Sequence, residues 1–489
     1  MKYIYIYIYI AYSSISLSQV RFNVNTTIGT DTVADAGVKT IQLKDKGYLS
    51  CGTSDGFMIN YKAAYLVKTD SLGNLLWKKQ YDFAVNKSDF FTGVVELPDS
   101  NYLLLGITTN TITNDDDAFL CKLDTAGNVL WLKKYMYPDD DEAMDFKLTP
   151  DGKVIILGYT FSGTSALNVL FIKTDLNGNL LWRKVLGANN FRHDEYHTID
   201  VIKNNSEYII SGQKGYCNSG NCYFDFSVML TDTAGNELWQ KQYGDSLVDD
   251  IGKGGAPTLD KGYVMCGQYN NEGVIIKLDS LGNWQWFKGY NLDSGNTIVQ
   301  VKQLPDSGYV MITSSSDFCS MSYTGFLIRT DKNGNEIWKR AYPGVSGNAG
   351  NEFYGFNTTA DKGFIITGKF NHIGQPYQNT WLVKTDSVGK DGAGSCLVTG
   401  LVSSSEADSY QDENHFKIFP NPVNDILNIT TTLNVAYVNI KITNMLGEVV
   451  LSESLNKQVL NIKCLVQGIY FLSVYDKEKL LGTKKLVKE

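Results

Sequence analysis

Hydrophobic and polar positions alternate with period two along most of the chain, and the alternation is interrupted at near-regular intervals by the same turn chemistry. Residues 65–68 form a short apolar run. Residues 70–73, Asp-Ser-Leu-Gly, read as a turn in which Gly73 takes a positive φ. Residues 74–81 return with Trp77, Lys79 and Tyr81 on one face and Leu76 and Lys78 on the other. This hairpin recurs as Asp124…Gly127-Asn128…Trp131, Asp175…Gly178-Asn179…Trp182, Asp232…Gly235-Asn236…Trp239, Asp279…Gly282-Asn283…Trp286 and Asp331…Gly334-Asn335…Trp338. A seventh copy, Asp386 to Gly389, keeps the turn and loses the Asn and the Trp. Successive turn glycines lie 54, 51, 57, 47, 52 and 55 residues apart, which is the spacing of four-stranded repeat units.

A second element recurs in phase with the first, beginning at Asp45, Asp99, Asp151, Asn205, Asp260, Asp306 and Asp361. It runs through a turn into an apolar strand such as Tyr-Leu-Ser-Cys-Gly at 48–52. Each copy follows another short strand. Every unit therefore holds strand A, a tight turn, strand B, a variable loop, strand C, the Gly-Asn turn and strand D, and none contains a helical period. The prediction is an all-β chain with a seven-bladed β-propeller of four-stranded blades over 19–396, each small sheet burying its faces only by stacking on its neighbours.

Unit 7 has no good strand D after Gly389. Residues 21–29 can supply it, so the two ends of the repeat region are expected to close the ring together; aligned by Gly29 on Gly244, they place Val24 and Ile28 where Trp239 and Tyr243 sit. The residue two beyond the Trp is basic in six units: Lys79, Lys133, Lys184, Lys241, Lys288 and Arg340. Such cations could line a ring for an anion, but an outermost strand whose Lys stems cover aromatic surface while the charge stays in water is the stronger reading. The tryptophans are read as packing between neighbouring sheets.

The B to C and D to A loops leave on one side of the ring and vary in length, the longest being 213–225. They carry Phe57, Tyr61, Tyr159, Phe161, Tyr216, Tyr223, Tyr269, Phe318, Tyr323, Phe370 and Tyr377, so this face is where a ligand is expected, although some of these rings will merely pack each loop on its own blade. In the longest loop Cys217 and Cys222, six residues with a Gly between them, are placed to form a local disulfide. Cys51 and Cys266 share one strand B position in units 1 and 5 and read as small buried hydrophobes.

Residues 397–415 are polar, acidic and without period, as a linker is. Residues 416–489 hold seven short alternating strands and predict a small Ig-like β-sandwich. This segment carries nine Lys against six Asp plus Glu, a net of +3 in a chain of net charge −8, which leaves the remainder near −11. With that balance nucleic acid is an unfavourable partner. Residues 1–18 have one Lys, a Tyr-Ile alternation and small residues before Gln19, and read as a signal peptide rather than a first strand. No later stretch reaches the roughly 18 apolar residues of a transmembrane helix.

Catalytic patterns are sparse. His193 and His197 are four apart, a zinc spacing on a helix, but on strand A of unit 4 they would stand about 13 Å apart. The runs Asp115-Asp-Asp117 and 139–142 (Asp-Asp-Asp-Glu) could meet on the loop face and hold Ca²⁺, although adjacent acidic residues are more often a solvated loop. There is no nucleophile elbow, P-loop or dinucleotide fingerprint, and no cofactor is called for. Carboxylate-only chemistry on glycosides leaves no sequence signature.

Four motifs in the last segment carry a family resemblance: Phe419-Pro420-Asn421-Pro422 with Ile426-Leu-Asn-Ile429; Asn444-Met-Leu-Gly447; Gly468-Ile-Tyr470-Phe; and the terminal Lys484-Lys485-Leu-Val-Lys488. The segment resembles the type A C-terminal sorting domain of type IX secretion cargo in Bacteroidota. The resemblance implies passage through the periplasm and across the outer membrane by that machinery, to the cell surface or the medium, with the domain usually removed. The repeat units resemble propellers common on the surface of such bacteria, and their C to D hairpins look like the tryptophan-docking repeats of quinoprotein dehydrogenases. The vicinal cysteine pair typical of the alcohol dehydrogenases among these is absent here. The functional expectation is an exported, non-catalytic binding or adhesion propeller with a polysaccharide or protein ligand. The rival is a carbohydrate-active enzyme, a glycoside hydrolase or lyase, using acidic residues of the loop face.

Overall fold

The computed structural model describes residues 19–26, 34–58, 61–161, 167–187, 192–202, 206–218, 221–244, 250–290, 292, 296–316, 323–342, 351–371, 378–392, 396–398, 416–419, 423–431, 438–444, 449–455, 459–476 and 479–488. The chain divides into two compact units, Met1–Leu401 and Val402–Glu489. Regular structure in the described residues is all strand.

In the first unit the repeats form seven four-stranded antiparallel sheets, as the pattern predicts. Strand A is Asp35–Gln42, Asp89–Glu96, Asp140–Thr149, Arg192–Ile202, Ile251–Pro257, Thr297–Gln303 and Glu352–Thr358 in blades 1 to 7. Each strand A packs on strands A, B and C of the preceding blade, and that of blade 1 packs on blade 7, so the array closes into a ring with the A strands innermost. A separate apolar cluster fills each of the seven interfaces between blades; Phe91, Leu104 and Cys121 of blade 2, for example, join Leu49, Cys51 and Leu66 of blade 1. Burial pushes the thiols of Cys51 and Cys121 up to about 12, as expected of packing groups. A single parallel pair, Leu167 with His193, ties blade 3 to blade 4.

The missing strand of blade 7 is supplied from the N-terminus: Phe22–Thr26 pairs antiparallel with Gln378–Thr385. The closure holds, but the register differs by two residues from the one aligned on Gly29. Phe22 lies opposite Lys384, the place that Trp77 takes opposite Lys68 in blade 1, and Val24 therefore takes the place of Lys79; Ile28 lies outside the described residues. Glycine alignment failed because the segment has no strand-long match to a Trp blade, and the aromatic ring is what sets the register. Among the described residues, none after Gly389 adds a strand to blade 7. Cys396–Val398 adds a fifth strand to blade 6, two residues beyond the boundary placed at 396.

The repeated residues explain one another across blades. The turn Asp accepts bonds from its own turn: Asp124 Oδ1 takes the Ala126 and Asn128 amides and Oδ2 the Asn128 side chain, at 2.8 to 2.9 Å. This fixes the turn Gly at positive φ with its α-carbon against the ring of the preceding blade. A Cβ on Gly178 would stand 2.9 Å from Trp131, and one on Gly73 2.7 Å from Phe22, so only Gly fits. Beside the ring, the strand D tyrosine donates to the same turn's carbonyl, as Tyr81 does to Gly127 at 2.8 Å. The basic residue also crosses: Lys79 Nζ bonds Asn128 Oδ1 at 2.8 Å, and Arg340 Nε bonds the Val388 carbonyl at 2.6 Å. These cations are thus inter-blade bonds and not simply charges left in water.

A second pairing recurs that the sequence analysis did not draw. The strand C residue facing the Trp position is a largely buried cation that binds the Asp of its own A to B turn: Lys68 with Asp45, Lys122 with Asp99 and Lys277 with Asp260 at 2.8 Å, Lys384 with Asp361 at 2.9 Å, and Lys173 with Asp151 at 3.8 Å. Arg329 pairs likewise with Asp306. Blade 4, whose turn has Asn205 instead of Asp, has Leu230 in the cation's place.

The second unit consists of two sheets, one ordered Phe416–Phe419, Ile426–Thr431, Val459–Asn461 and the other Val449–Leu455, Val438–Asn444, Gly468–Asp476, Lys479–Lys488. Leu427, Ile429, Leu460, Ile440, Ile442, Leu472, Val474 and Leu486 fill its core from alternate positions.

Candidate functional site

Strand A of blade 3 starts with three acidic residues, and strand geometry sends them to alternate faces. Asp141 is buried and holds Arg183 at 3.0 Å, with the guanidinium 4.1 Å above the Tyr137 ring. Asp140 and Glu142 fall on the other face, in register with Phe161 and Tyr159 of strand B. Tyr159 Oη donates to Glu142 Oε2 at 2.7 Å. Blade 2 meets them: the Asp116 amide donates to Asp140 Oδ1 at 2.9 Å, and Thr109 Oγ1 to Asp116 Oδ1 at 2.7 Å. Blade 4 contributes Glu195, which accepts from Gln213 at 2.8 Å. Burial raises the Glu142 carboxyl, and the charges of Asp116, Asp140 and Glu195 push it the same way, against the Tyr159 bond. Carboxylates of three blades thus share one patch at the loop ends. Burial likewise lifts neighbouring Asp117 to about 6, although the Tyr137 amide and Asn110 bond it.

The two acidic runs therefore do meet, as the Ca²⁺ expectation required. Many of their oxygens are already engaged by amides, hydroxyls and Arg183. Among the described residues no group of three or more His, Cys, Asp or Glu is arranged to hold a metal ion.

The predicted aromatics divide. Phe161 and Tyr223 are 37% and 38% exposed, and Tyr61 opens strand C of blade 1 at the surface. Tyr159 belongs to the acidic patch. Tyr269 lies edge-on to Phe287 at 5.5 Å, and Phe370 is buried against Trp381, so both pack on their own blades. The stretch 213–225 is no loop: Glu207–Asn218 and Asn221–Asp232 continue as paired strands, with Tyr216 opposite Tyr223 and Cys217 opposite Cys222. Nothing in Gln-Lys-Gly-Tyr-Cys breaks a strand, and the pairing simply runs on. The side chains of Tyr216, Cys217, Cys222 and Tyr323 lie outside the described residues, as do Phe318 and Tyr377 altogether. In the C-terminal unit Tyr470 Oη donates to the Val466 carbonyl at 2.8 Å, and Lys488 reaches Asp425 at 3.6 Å. Gly468 pairs with Lys488, and Lys484 and Lys485 lie on the last strand opposite Leu472 and Phe471. Pro420, Asn421, Pro422 and Gly447 lie outside the described residues.

A second constellation, which the sequence reading missed, lines the axis. Every strand A carries a β-bulge at the same place, at Val38, Thr92, Met144, His197, Lys253, Val299 and Tyr354. His197 stands at the bulge of blade 4, and the side chain of His193 lies outside the described residues. From these bulges toward the tight-turn end the innermost strands supply Lys39, Asp145, Lys147, Asp200, Lys253 and Lys302. Lys147 reaches Asp145 at 2.8 Å and Asp200 at 3.8 Å, and Lys302 donates to Asn357 at 2.8 Å. Lys39 lies on the innermost strand of blade 1, and its charge acts on Asp145, His197, Asp200 and Lys302 of blades 3, 4 and 6. Lys147 keeps 35% of its side-chain surface open to solvent while protein surrounds it, as a channel wall does. Lys147, Asp200 and Lys302 share one strand A position, three residues past the bulge, and Lys39 and Asp145 share another, one residue past it; the other units carry uncharged residues at both places, so no charge repeats there in the sequence.

Fold and tail together define the class: an exported protein built as a β-propeller with a separate sorting unit. Residues 417–489 match the family described as Secretion system C-terminal sorting domain, so the chain ends in a type IX secretion sorting domain, is recognised by that machinery and is exported to the cell surface or the medium. No curated protein matches the chain. Among solved structures, PorZ of Porphyromonas gingivalis, described as an essential bacterial surface component of the type-IX secretion system, is 11% identical with a TM-score of 0.41 over 91% of this chain and 58% of that one. Puromycin hydrolase is 9% identical with a TM-score of 0.48 over 81% of this chain and 59% of its own. The β-propeller domain of the Trilobed protease from Pyrococcus furiosus is 10% identical with a TM-score of 0.42, over 77% and 97%. The chain spans about three fifths of the length of the first two.

Proposed function

We propose that this type IX cargo is a glycan-binding or adhesion propeller that grips a polysaccharide at the loop ends of blades 2 to 4. The observation that carries the reading is the exposed Phe161 ring in register with Asp140, beside the Glu142–Tyr159 pair and the carboxylates of Asp116 and Glu195. An aromatic face takes the apolar side of a sugar ring, and carboxylates accept from its hydroxyls in a site of mixed apolar and polar character. In a polysaccharide screen with the full chain, Phe161→Ala is expected to weaken binding about tenfold, or 1.4 kcal/mol, with the unfolding midpoint little changed. Undiminished binding by that variant refutes the assignment.

The Glu142 carboxyl, raised by burial and set beside the carboxyls of Asp116, Asp140 and Glu195, favours one second reading, glycoside hydrolysis, because that chemistry pairs an acid of raised pKa with a second carboxyl. Reducing-end assays on any glycan that binds separate the two. Sugar release abolished by Glu142→Gln supports the enzyme, and intact ligand after prolonged incubation supports the binder.

A further inference from the structure

The axial channel holds four lysines, from blades 1, 3, 5 and 6, against two carboxylates, both of which lie on Lys147. Among the described residues Lys39, Lys253 and Lys302 have no ion-pair partner, and His197 presents a buried Nε2 with no hydrogen bond. Residues 1–401 carry 35 Lys and Arg against 42 Asp and Glu, so this interior excess of positive charge is local and opposite in sign to the net charge of the unit. Ammonium groups enclosed by protein without counter-charge are unfavourable, and their repulsion is relieved by an anion that accepts from several at once.

We propose that the channel is a binding site for a compact tetrahedral oxyanion, a sulfate or phosphate group, either free or carried as an ester on a larger molecule. Lys39, Lys253 and Lys302 approach the axis from three blades, so an anion of several oxygens on the axis can accept from each. Lys147 is already neutralised and serves as wall. The second-layer bonds that hold the ring of strands in place are present: Gln300 Oε1 accepts from the Phe356 amide at 2.9 Å, and Thr198 Oγ1 from the Gly255 amide at 3.1 Å. Burial, together with Lys147 and Lys39, pushes the Lys302 ammonium down to about 8, and the charges of Asp200 and Asp145 only partly offset it. The site is separate from the loop-end patch, and its failure would leave the glycan reading untouched.

The test is calorimetric titration of the full-length protein with sodium sulfate at ionic strength held constant with sodium chloride. A saturable one-to-one isotherm is expected. Lys302→Met and Lys253→Met are each expected to weaken it at least tenfold, and Asp200→Asn, which removes a negative charge, to tighten it several-fold. Because damage to the fold cannot tighten binding, the Asp200 variant keeps the test decisive even where a lysine variant misfolds. Glucose 6-sulfate in a parallel titration assigns the source: binding of the ester points to a sulfated glycan, and binding of free sulfate alone points to the ion. Heats no larger than those of chloride for both probes, unchanged affinity in both lysine variants, or weakening by Asp200→Asn would each overturn the proposal.

Discussion

Lys277 is 3% exposed, and its ammonium is divided among Asp260, the Leu278 carbonyl and Gln285. Removing it strands those acceptors, so Lys277→Leu should cost about 1–2 kcal/mol, less than a fully buried pair because Asp260 keeps access to water. In blade 4 the sequence has Asn205 in place of the turn Asp, and Leu230 stands in the cation's place opposite Trp239. The double variant Lys277→Leu with Asp260→Asn should therefore recover most of the loss in urea unfolding. A double variant no more stable than the single one would mean that the two positions are not coupled. The coupling could have been read from the sequence, since the one unit with a different turn residue is the one with a different strand C residue. It was passed over because a lone Lys in an apolar strand reads as the solvent face of the alternation.

At the scale of the element, the first strand decides whether the ring is closed by an aromatic ring or by an aliphatic edge. Phe22 is 8% exposed and packs edge-on to Tyr48 at 5.4 Å, beneath Gly73. Phe22→Ala should then cost about 3 kcal/mol, the range for emptying a core aromatic, whereas Val24→Ser should stay within about 1 kcal/mol. Melting curves of the two variants decide the register: the reverse order would restore the alignment that set Val24 in the tryptophan's place. That a strand had to come from the N-terminus was legible from the defective seventh unit. Its register was not, because nothing in Arg-Phe-Asn-Val-Asn repeats the Trp hairpin. The hairpin of blade 4 was missed for a related reason: a stretch rich in Gly, Asn and Cys looks like a loop until its two halves are seen to pair.

For the whole molecule, export and folding belong to different parts of the chain. Deleting residues 416–489 should leave a propeller that unfolds at its usual temperature but is retained in the periplasm, checked by fractionation and by melting of the retained protein. Its normal appearance in the medium would show that the tail is dispensable. Fold and destination were both legible, the first from a spacing repeated seven times and the second from four short motifs. The site was legible only in part. Blade-loop residues such as Phe161 stand out because they break the repeat, but the lysines of the channel matter only once strand A is known to be innermost, and no periodicity says which strand of a unit that is.

The pairing of Phe22 with Lys384 spans 362 residues of chain, whereas strands C and D of the other six blades pair as hairpins. Closing so long a loop carries an entropic penalty that grows only as the logarithm of its length, roughly 2 kcal/mol beyond that of a 50-residue loop. The consequence is one of time rather than strength. Phe22–Thr26 precedes every blade along the chain and has no partner until blade 7 is made, so the ring is sealed last, and every blade must already be in place to be sealed. Opened in reverse, the seam is a single short strand, and beyond the cell envelope lifetime depends on how fast a fold opens more than on how stable it is. How long this protein endures outside the cell is then governed by how rarely five residues let go.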